Sequence, residues 1–398
     1  MYCGGQGVYV YCLAKALHEL GHEIHVIAGP PYPTPPEGVE LHKLEGLNLY
    51  ETNGFSLLSS PLRMFTPINL YEAAAVHVGM FPDIFTFSMR AYLKLRDLMS
   101  RERFDIIHDN QTLGYGLLLA KSLGVPIVAT IHHPISIDMA ASLAEVKSWL
   151  TRFRRTIFYS FLIMQGVVSR RMDRVVMVSK ASAEDTIRAF KLREDRVRIV
   201  HNGIDTGIFR RLDHVEKEPN SLVIVGKTED KKKGVPFLLK AVQLLKDDVD
   251  VKVNVVGIQG PDDGYRTKLV QELGIGDRVT FTGQIGADEL VRLYSSAEIA
   301  VTASLYEGFG LPAAEAMACG TPVIATRAGA LPEIVGEYGT GILVPPADPP
   351  ALAAAIKRLL ADRPLRQRMG EAARKRIEES FSWEVAAGKT LEVYEEVL

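Results

Sequence analysis

Cysteine is scarce: Cys3, Cys12 and Cys319 are the only three in 398 residues. Three thiols cannot build a disulfide framework, and none stands in a Cys-x-x-Cys pair or at zinc-type spacing. A disulfide-stapled secreted domain is excluded, and a reducing, cytoplasmic setting is expected. A basic excess is also missing. Lys+Arg 46 against Asp+Glu 48 leaves a formal charge of −2, so no nucleic-acid partner is expected. Long hydrophobic runs are absent. The most apolar stretch, Ile157 to Val168, is too short to span a bilayer and is flanked by arginines. Met1-Tyr-Cys-Gly-Gly5 has neither the basic nor the apolar region of a signal peptide, which makes a soluble or peripheral protein the expectation. No solenoid repeat or low-complexity tract appears. What remains is 47% hydrophobic and 24% charged residues, the balance of a globular chain, long enough for roughly two to three domains of ~150 residues.

The dominant rhythm is a short β-branched run followed by a helical pattern. Strands are expected at 23–28, 104–108, 125–131, 174–179, 222–225, 251–256, 278–281, 299–302 and 322–325. Helices are expected at 9–20, 115–123, 183–190, 235–245, 266–273, 287–295, 311–319 and 350–360. Apolar strands alternating with helices imply parallel sheets covered on both faces. Strands spread over this length suggest two doubly wound domains rather than one barrel. Val200-His-Asn-Gly-Ile-Asp205 is turn-rich and the charged segment Arg210 to Asn220 follows it, so the linker is placed there.

Two regions break the alternation. Residues 45–99 carry many aromatics and methionines but no clear strand. Residues 140–172 read as one long helix, with Leu150, Phe153, Ile157, Phe161, Met164 and Val168 at helical spacing. Lys147, Arg152, Arg154, Arg155, Arg170 and Arg171 stand among its aromatics. Two readings fit: a core-facing helix with solvated arginines, or an interfacial helix over 146–172 that binds a membrane peripherally.

The most informative segment is Glu307-Gly-Phe-Gly-Leu-Pro-Ala-Ala-Glu315, followed by Gly320-Thr-Pro322. A strand ends near Thr302, a glycine-rich loop follows, and a helix opens near Leu311 with Pro312 in its first turn. Backbone N–H groups around Gly308, Phe309, Gly310 and Leu311 then form an anion site at a helix N-terminus. Glu307 lies in the loop and Glu315 one turn inside the helix. Gly320 serves as the C-terminal cap.

This segment resembles the E-x7-E motif of the retaining GT-B glycosyltransferases of family 4, glycosyl transferases group 1. The resemblance runs through nearly the whole chain. Gly4-Gly5-Gln-Gly7 is similar to the family's N-terminal glycine loop, Gly21-His22 to its Gly-His, and Ala129-Thr-Ile-His132 to the end of a central strand. Asn202-Gly203-Ile-Asp205, Gly226-Lys227 with Lys233-Gly234, Gly329-Ala-Leu-Pro332-Glu333 and Phe381-Ser-Trp383 follow in the family's order. The resemblance implies a GT-B fold: an acceptor-side Rossmann-like domain at 1–205, a nucleotide-sugar domain at 206–382, and a final helix, 383–398, crossing back to the first. It implies transfer of a sugar from a nucleoside diphosphate to an acceptor hydroxyl, with retention and without a metal. Glu315 is then the acid on the donor ribose, and Glu307 and His132 face the reacting sugar. Lys227 and Lys233 hold the diphosphate, and Gly308 to Leu311 with Gly4 and Gly5 complete the donor site. The donor is a nucleoside-diphosphate sugar used as co-substrate, with no other cofactor. The acceptor is a lipid-linked, polysaccharide or glycoconjugate hydroxyl, at the inner face of the membrane if the 146–172 helix is interfacial. Lysine at 227 departs from the arginine common there and offers a point charge instead of a fork. His108, at a strand end, has equal reason to face the cleft or the core. The family's first strand should precede Gly4, and Met1 leaves no room for it, so a misassigned start or a truncation is expected. The alternatives are a nucleotide-sugar-binding partner subunit without catalysis, or an epimerase or phosphorylase on the same fold.

Overall fold

The β-branched runs become parallel strands. The computed structural model describes residues 4–47, 66–144, 146–228, 230–257, 264–336 and 339–398. By internal contacts the chain divides into two units, residues 1–200 with 386–398, and residues 201–385.

Unit 1 runs α1 (Gly4–Glu19), β1 (His25–Ala28), β2 (Glu40–Lys43), α2 (Pro67–His77), α3 (Asp83–Met99), β3 (Ile107–Asn110), α4 (Gly116–Ala120), β4 (Ile127–Ile131), α5 (Ile135–Ala144), α6 (Trp149–Phe158), α7 (Phe161–Ser169), β5 (Arg174–Met177), α8 (Lys180–Phe190) and β6 (Val197–Ile199). β1 and β2 form a parallel pair with His25 opposite Glu40 and Ile27 opposite His42. The other four strands form a parallel sheet in the order β3-β4-β5-β6. Every residue of β4 is buried, as a strand covered on both faces requires. Phe161, Met164 and Val168 of α7 and Phe190 of α8 share its core cluster.

Unit 2 runs β7 (Ser221–Val225), α9 (Val235–Leu245), β8 (Lys252–Val256), α10 (Tyr265–Leu273), β9 (Val279–Gly283), α11 (Ala287–Ser296), β10 (Ile299–Thr302), α12 (Leu311–Ala318), β11 (Val323–Thr326), α13 (Leu331–Val335), β12 (Gly341–Val344), α14 (Pro349–Ala361), α15 (Arg363–Ser380) and the start of α16 (Trp383–Glu395). All six strands are parallel, in the order β12-β11-β10-β7-β8-β9. Numbered within the unit this is the doubly wound order 3-2-1-4-5-6. Leu222, Ile224, Val253 and Ile299 of the sheet pack with Leu238, Leu239 and Ile356 from α9 and α14. Asp348 and Asp362 cap α14 and α15 by accepting from Ala351 N and Leu365 N, each at 2.9 Å, the usual duty of a short acid at an N-cap.

The single helix expected over 140–172 is three. Ser148 is extended before α6, and the helix ends at Tyr159 with φ −83° and ψ 7°. The apolar spacing continues through these breaks, but its two halves face different surroundings. Phe161, Met164 and Val168 are buried, whereas Leu150 and Phe153 are exposed. The glycine loop expected at Gly4 and Gly5 is instead the first turn of α1. β2, β6, β12, α2, α3, α13 and α15 had no counterpart in the sequence reading. Cys3 and part of the 45–99 region lie outside the described residues. Among the described residues no helix is long and apolar enough to cross a membrane.

Candidate functional site

An open parallel sheet binds ligands beyond the carboxyl ends of its strands, where the strand order reverses. In unit 2 that point lies between β7 and β10, which are paired neighbours. The loop after β7 carries Lys227 and Lys233; the loop after β10 carries Glu307 to Gly310. Close backbone approach joins the two loops. Gly234 has φ +68°, and a Cβ there would sit 1.8 Å from Ala303 O, so only glycine fits. Leu305 N donates to Lys232 O at 2.7 Å across the same junction. Lys233 Nζ is thereby set 3.1 Å from both Oε1 and Oε2 of Glu307. Glu307 is held from behind as well. Ala330 N donates to Glu307 O at 2.9 Å, and a Cβ on Gly329 would lie 2.1 Å from that oxygen. The Glu307 side chain is 11% exposed and that of Lys233 32%, so the lysine is the partner nearer to solvent.

Gly310, with φ +106°, caps α12, and Pro312 occupies its first turn. Gly308 and Leu311 are half-buried on either side. Glu315 sits one turn inside α12, half-buried, and Tyr294 Oη donates to its Oε2 at 3.3 Å. Burial pushes this carboxyl up to about 7, against the opposing hydrogen bond from Tyr294. The Phe309 ring is 5% exposed and lies 6.2 Å from both the His201 and Phe381 rings. Its ring is therefore core, and its backbone alone is left for a ligand. His201 Nε2 pairs with Glu333 Oε2 at 3.2 Å. Lys227 is exposed and, among the described residues, has no ion-pair partner. The structure thus gathers Lys233, Glu307, Gly308, Gly310, Leu311 and Glu315 around one loop and helix start, with Lys227 on the adjoining loop.

In unit 1, His132 follows the last residue of β4. Its Nε2 donates to Asn110 Oδ1 at 2.6 Å, and its backbone N donates to Gln111 Oε1 at 2.7 Å. The Tyr9 ring meets it edge-on, centroids 4.4 Å apart. Burial, with a lesser contribution from His108, pushes His132 down to about 4, so it is neutral at physiological pH with Nδ1 as its acceptor. His133 is paired with Asp138 at 2.7 Å. His108 is half-buried and both of its ring nitrogens are engaged within unit 1: its Nε2 meets Thr130 Oγ1 at 2.7 Å and its Nδ1 meets Tyr394 Oη at 2.6 Å. Burial pushes it down to about 4 as well. Gly4 and Gly5 lie in the first turn of α1, and a Cβ at Gly5 would meet nothing within 4 Å, so no crowding there demands glycine.

Two contributors escaped the sequence reading. Tyr294 is 1% exposed and looks like any core tyrosine of an amphipathic helix. Its one signal is a phenol that needs a partner when buried. Asn110 closes β3 beside His108, where only the pairing of β3 with β4 brings it to His132.

A doubly wound sheet with two acids and a lysine at its switch point, in a chain that also carries a second parallel α/β unit, accords with the GT-B class of glycosyltransferases. Residues 208–376 match the family described as glycosyl transferases group 1, and residues 3–207 match glycosyltransferase family 4; the chain belongs to this family and is a glycosyltransferase. It is 40% identical over 402 residues to the MMP alpha-(1->4)-mannosyltransferase of Mycolicibacterium hassiacum, covering 100% of this chain and 96% of that one. It is 28% identical to the D-inositol 3-phosphate glycosyltransferase of Paenarthrobacter aurescens, covering 99% and 93%. Among solved structures it is similar to a sucrose-phosphate synthase from Thermosynechococcus elongatus, at 26% identity and a TM-score of 0.72, covering 99% and 94%.

Proposed function

We propose that the chain is a retaining, metal-independent hexosyltransferase that moves a sugar from a nucleoside diphosphate to an acceptor hydroxyl. The observation that carries this reading is Lys233 Nζ at 3.1 Å from both oxygens of Glu307, beside the N-terminus of α12. The departing diphosphate gains negative charge as the glycosidic bond breaks, and a fixed cation with helix N–H donors stabilises that charge where it develops. Lys233, Lys227 and the first turn of α12 supply the positive charge that a divalent ion supplies elsewhere. Without donor, Lys233 neutralises Glu307. An entering diphosphate competes for the ammonium and frees Glu307 toward the sugar. Glu315 accepts from the ribose hydroxyls. His132, neutral with Nδ1 as acceptor, suits hydrogen bonding to a sugar or acceptor hydroxyl better than delivery of a proton.

Mannose is the favoured sugar, by likeness to the 40%-identical mannosyltransferase. The alpha linkage in that relative's name accords with retention from an α-linked donor. The exposed aromatic and basic face of α6 favours an acceptor met at the inner face of a membrane. In the test, the full chain is screened by thermal shift against GDP-mannose, UDP-glucose and UDP-N-acetylglucosamine, since a bound donor stabilises the native state by mass action. The product anomer is then read by proton NMR with no Mg2+ or Mn2+ added. One donor should raise the melting temperature and yield an α-linked product. A β-linked product would overturn retention, and no shift with any donor would overturn the donor site.

A further inference from the structure

β1 and β2 bring together a second cluster of chemically capable side chains. Their parallel register sets His25 opposite Glu40 and Ile27 opposite His42, so His25, Glu40 and His42 converge on one face. His25 Nδ1 lies 2.9 Å from His42 Nε2. Glu40 Oε1 lies 3.5 Å from His42 Nε2, and Glu40 Oε2 lies 3.9 Å from His25 Nδ1. Four ligands held tetrahedrally at zinc–nitrogen distances of about 2.0–2.1 Å stand roughly 3.3 Å apart. The three observed separations bracket that edge, so small side-chain adjustments seat one ion among all three groups.

The surroundings match a metal site rather than a chance contact. His25 Nε2 lies 3.3 Å from Glu23 Oε1, so its proton points at a carboxylate and its Nδ1 lone pair points at the cluster. A metal-bound histidine is ordinarily oriented this way by its second nitrogen. Glu102 Oε2 stands 3.9 Å from the same Nε2, and the Phe104 ring packs edge-on against His25 at 5.0 Å. Both imidazole side chains are 8% exposed, whereas Glu40 is 61% exposed. Two rigid nitrogen donors therefore face one solvent-side carboxylate, which leaves a fourth position for water. Lys94 is the cation that acts on His42, against Glu40 and Glu102; with Glu23, three carboxylates surround the pair of rings. Imidazole donors select zinc-like transition ions over magnesium or calcium.

We propose that His25, Glu40 and His42 form a zinc-class cation site that ties β1 to β2, separate from the donor chemistry. On binding, His42 carries its proton on Nδ1 and turns the Nε2 lone pair to the ion. The site does not depend on the reading of Glu307 and Lys233, which lie in the other unit.

The test uses the tag-free full chain, stripped with chelator and then titrated calorimetrically with ZnCl2, with MgCl2 as the hard-cation control. One equivalent of Zn2+ should bind, raise the melting temperature and leave Mg2+ without effect. Co2+ in place of Zn2+ should give the visible bands of a tetrahedral, nitrogen-containing site. Glu40→Gln, at an exposed position that keeps the fold, should weaken Zn2+ binding roughly tenfold or more, and His42→Gln should abolish the cobalt bands. Failure to bind stoichiometric Zn2+ would overturn the proposal. So would equal affinity in Glu40→Gln, or cobalt bands that persist in a His42→Gln protein with native circular dichroism.

Discussion

Glu315 holds an uneasy position for a carboxyl. Burial raises it to about 7, above the unfolded value of 4.5, so the folded state binds the extra proton between those two values. Stability contributed at this position therefore falls as pH rises from about 4.5 to about 7 and stays low above that. Glu315→Gln removes the penalty. Scanning calorimetry should find the variant melting higher than wild type at pH 8, with the difference shrinking toward pH 5. Donor affinity should move the other way, because an amide accepts ribose hydroxyls less strongly than a carboxylate. A variant that loses both stability and affinity would mark Glu315 as merely structural. At this scale the sequence was most legible where charge stood out against an apolar background. Glu307 and Glu315 are visible because they stand out in a segment of glycine, alanine and apolar residues, whereas Lys233 ends the charged run from Glu229 and is singled out only by the family resemblance. Tyr294 and Asn110 carry no such contrast, and only the folding of distant segments gives them partners. Phe309 was legible as part of the loop but not as core, since its burial comes from His201 and Phe381.

Helices and strands were legible where burial on both faces wrote an apolar run, as in β4, β7 and β10. They were obscured where the pattern was thin. β2 reads Glu-Leu-His-Lys with a single buried residue, and α15 buries only Met369, Gly370, Ala373 and Ile377 in eighteen residues. For α6 two readings stood open, because helical spacing of apolar residues does not say what they face. It has no buried residue; Trp149 is 77% and Phe153 57% exposed, and Arg152 and Arg154 are exposed beside them. An aromatic face with adjoining cations suits a bilayer interface carrying anionic lipid. Vesicles containing anionic phospholipid should sediment the protein at low salt. Phe153→Ser with Trp149→Ser should release it without changing the melting temperature, because neither side chain contributes to a core. Equal retention by neutral vesicles, or by the double variant, would rule out this use of α6.

The molecule divides into units of unlike continuity. Unit 2 is one stretch, 201–385, while unit 1 joins 1–200 to the last residues, 386–398. That final segment is fastened within unit 1. Tyr394 meets His108, and Glu396 lies 2.7 Å from both Arg174 and Arg198. Hydrogen bonds from Arg198 and Arg174 hold the Glu396 carboxyl down at about 2. This stabilisation is complete above about pH 4.5 and is lost as pH falls toward 2. Glu396→Gln should cost about 1 kcal/mol at pH 7, since the group is partly screened by solvent. The cost should vanish near pH 2, as judged by urea unfolding at the two values. A cost independent of pH would mean that packing, not charge, secures the segment. During synthesis the same layout sets an order of events. The continuous unit can fold as soon as residue 385 clears the ribosome. Unit 1 must wait, with His108, Arg174 and Arg198 lacking these partners, until residues 386–398 emerge. Chains commonly complete their N-terminal domain first; here the unit that holds residues 1–200 is completed after the one that holds 201–385.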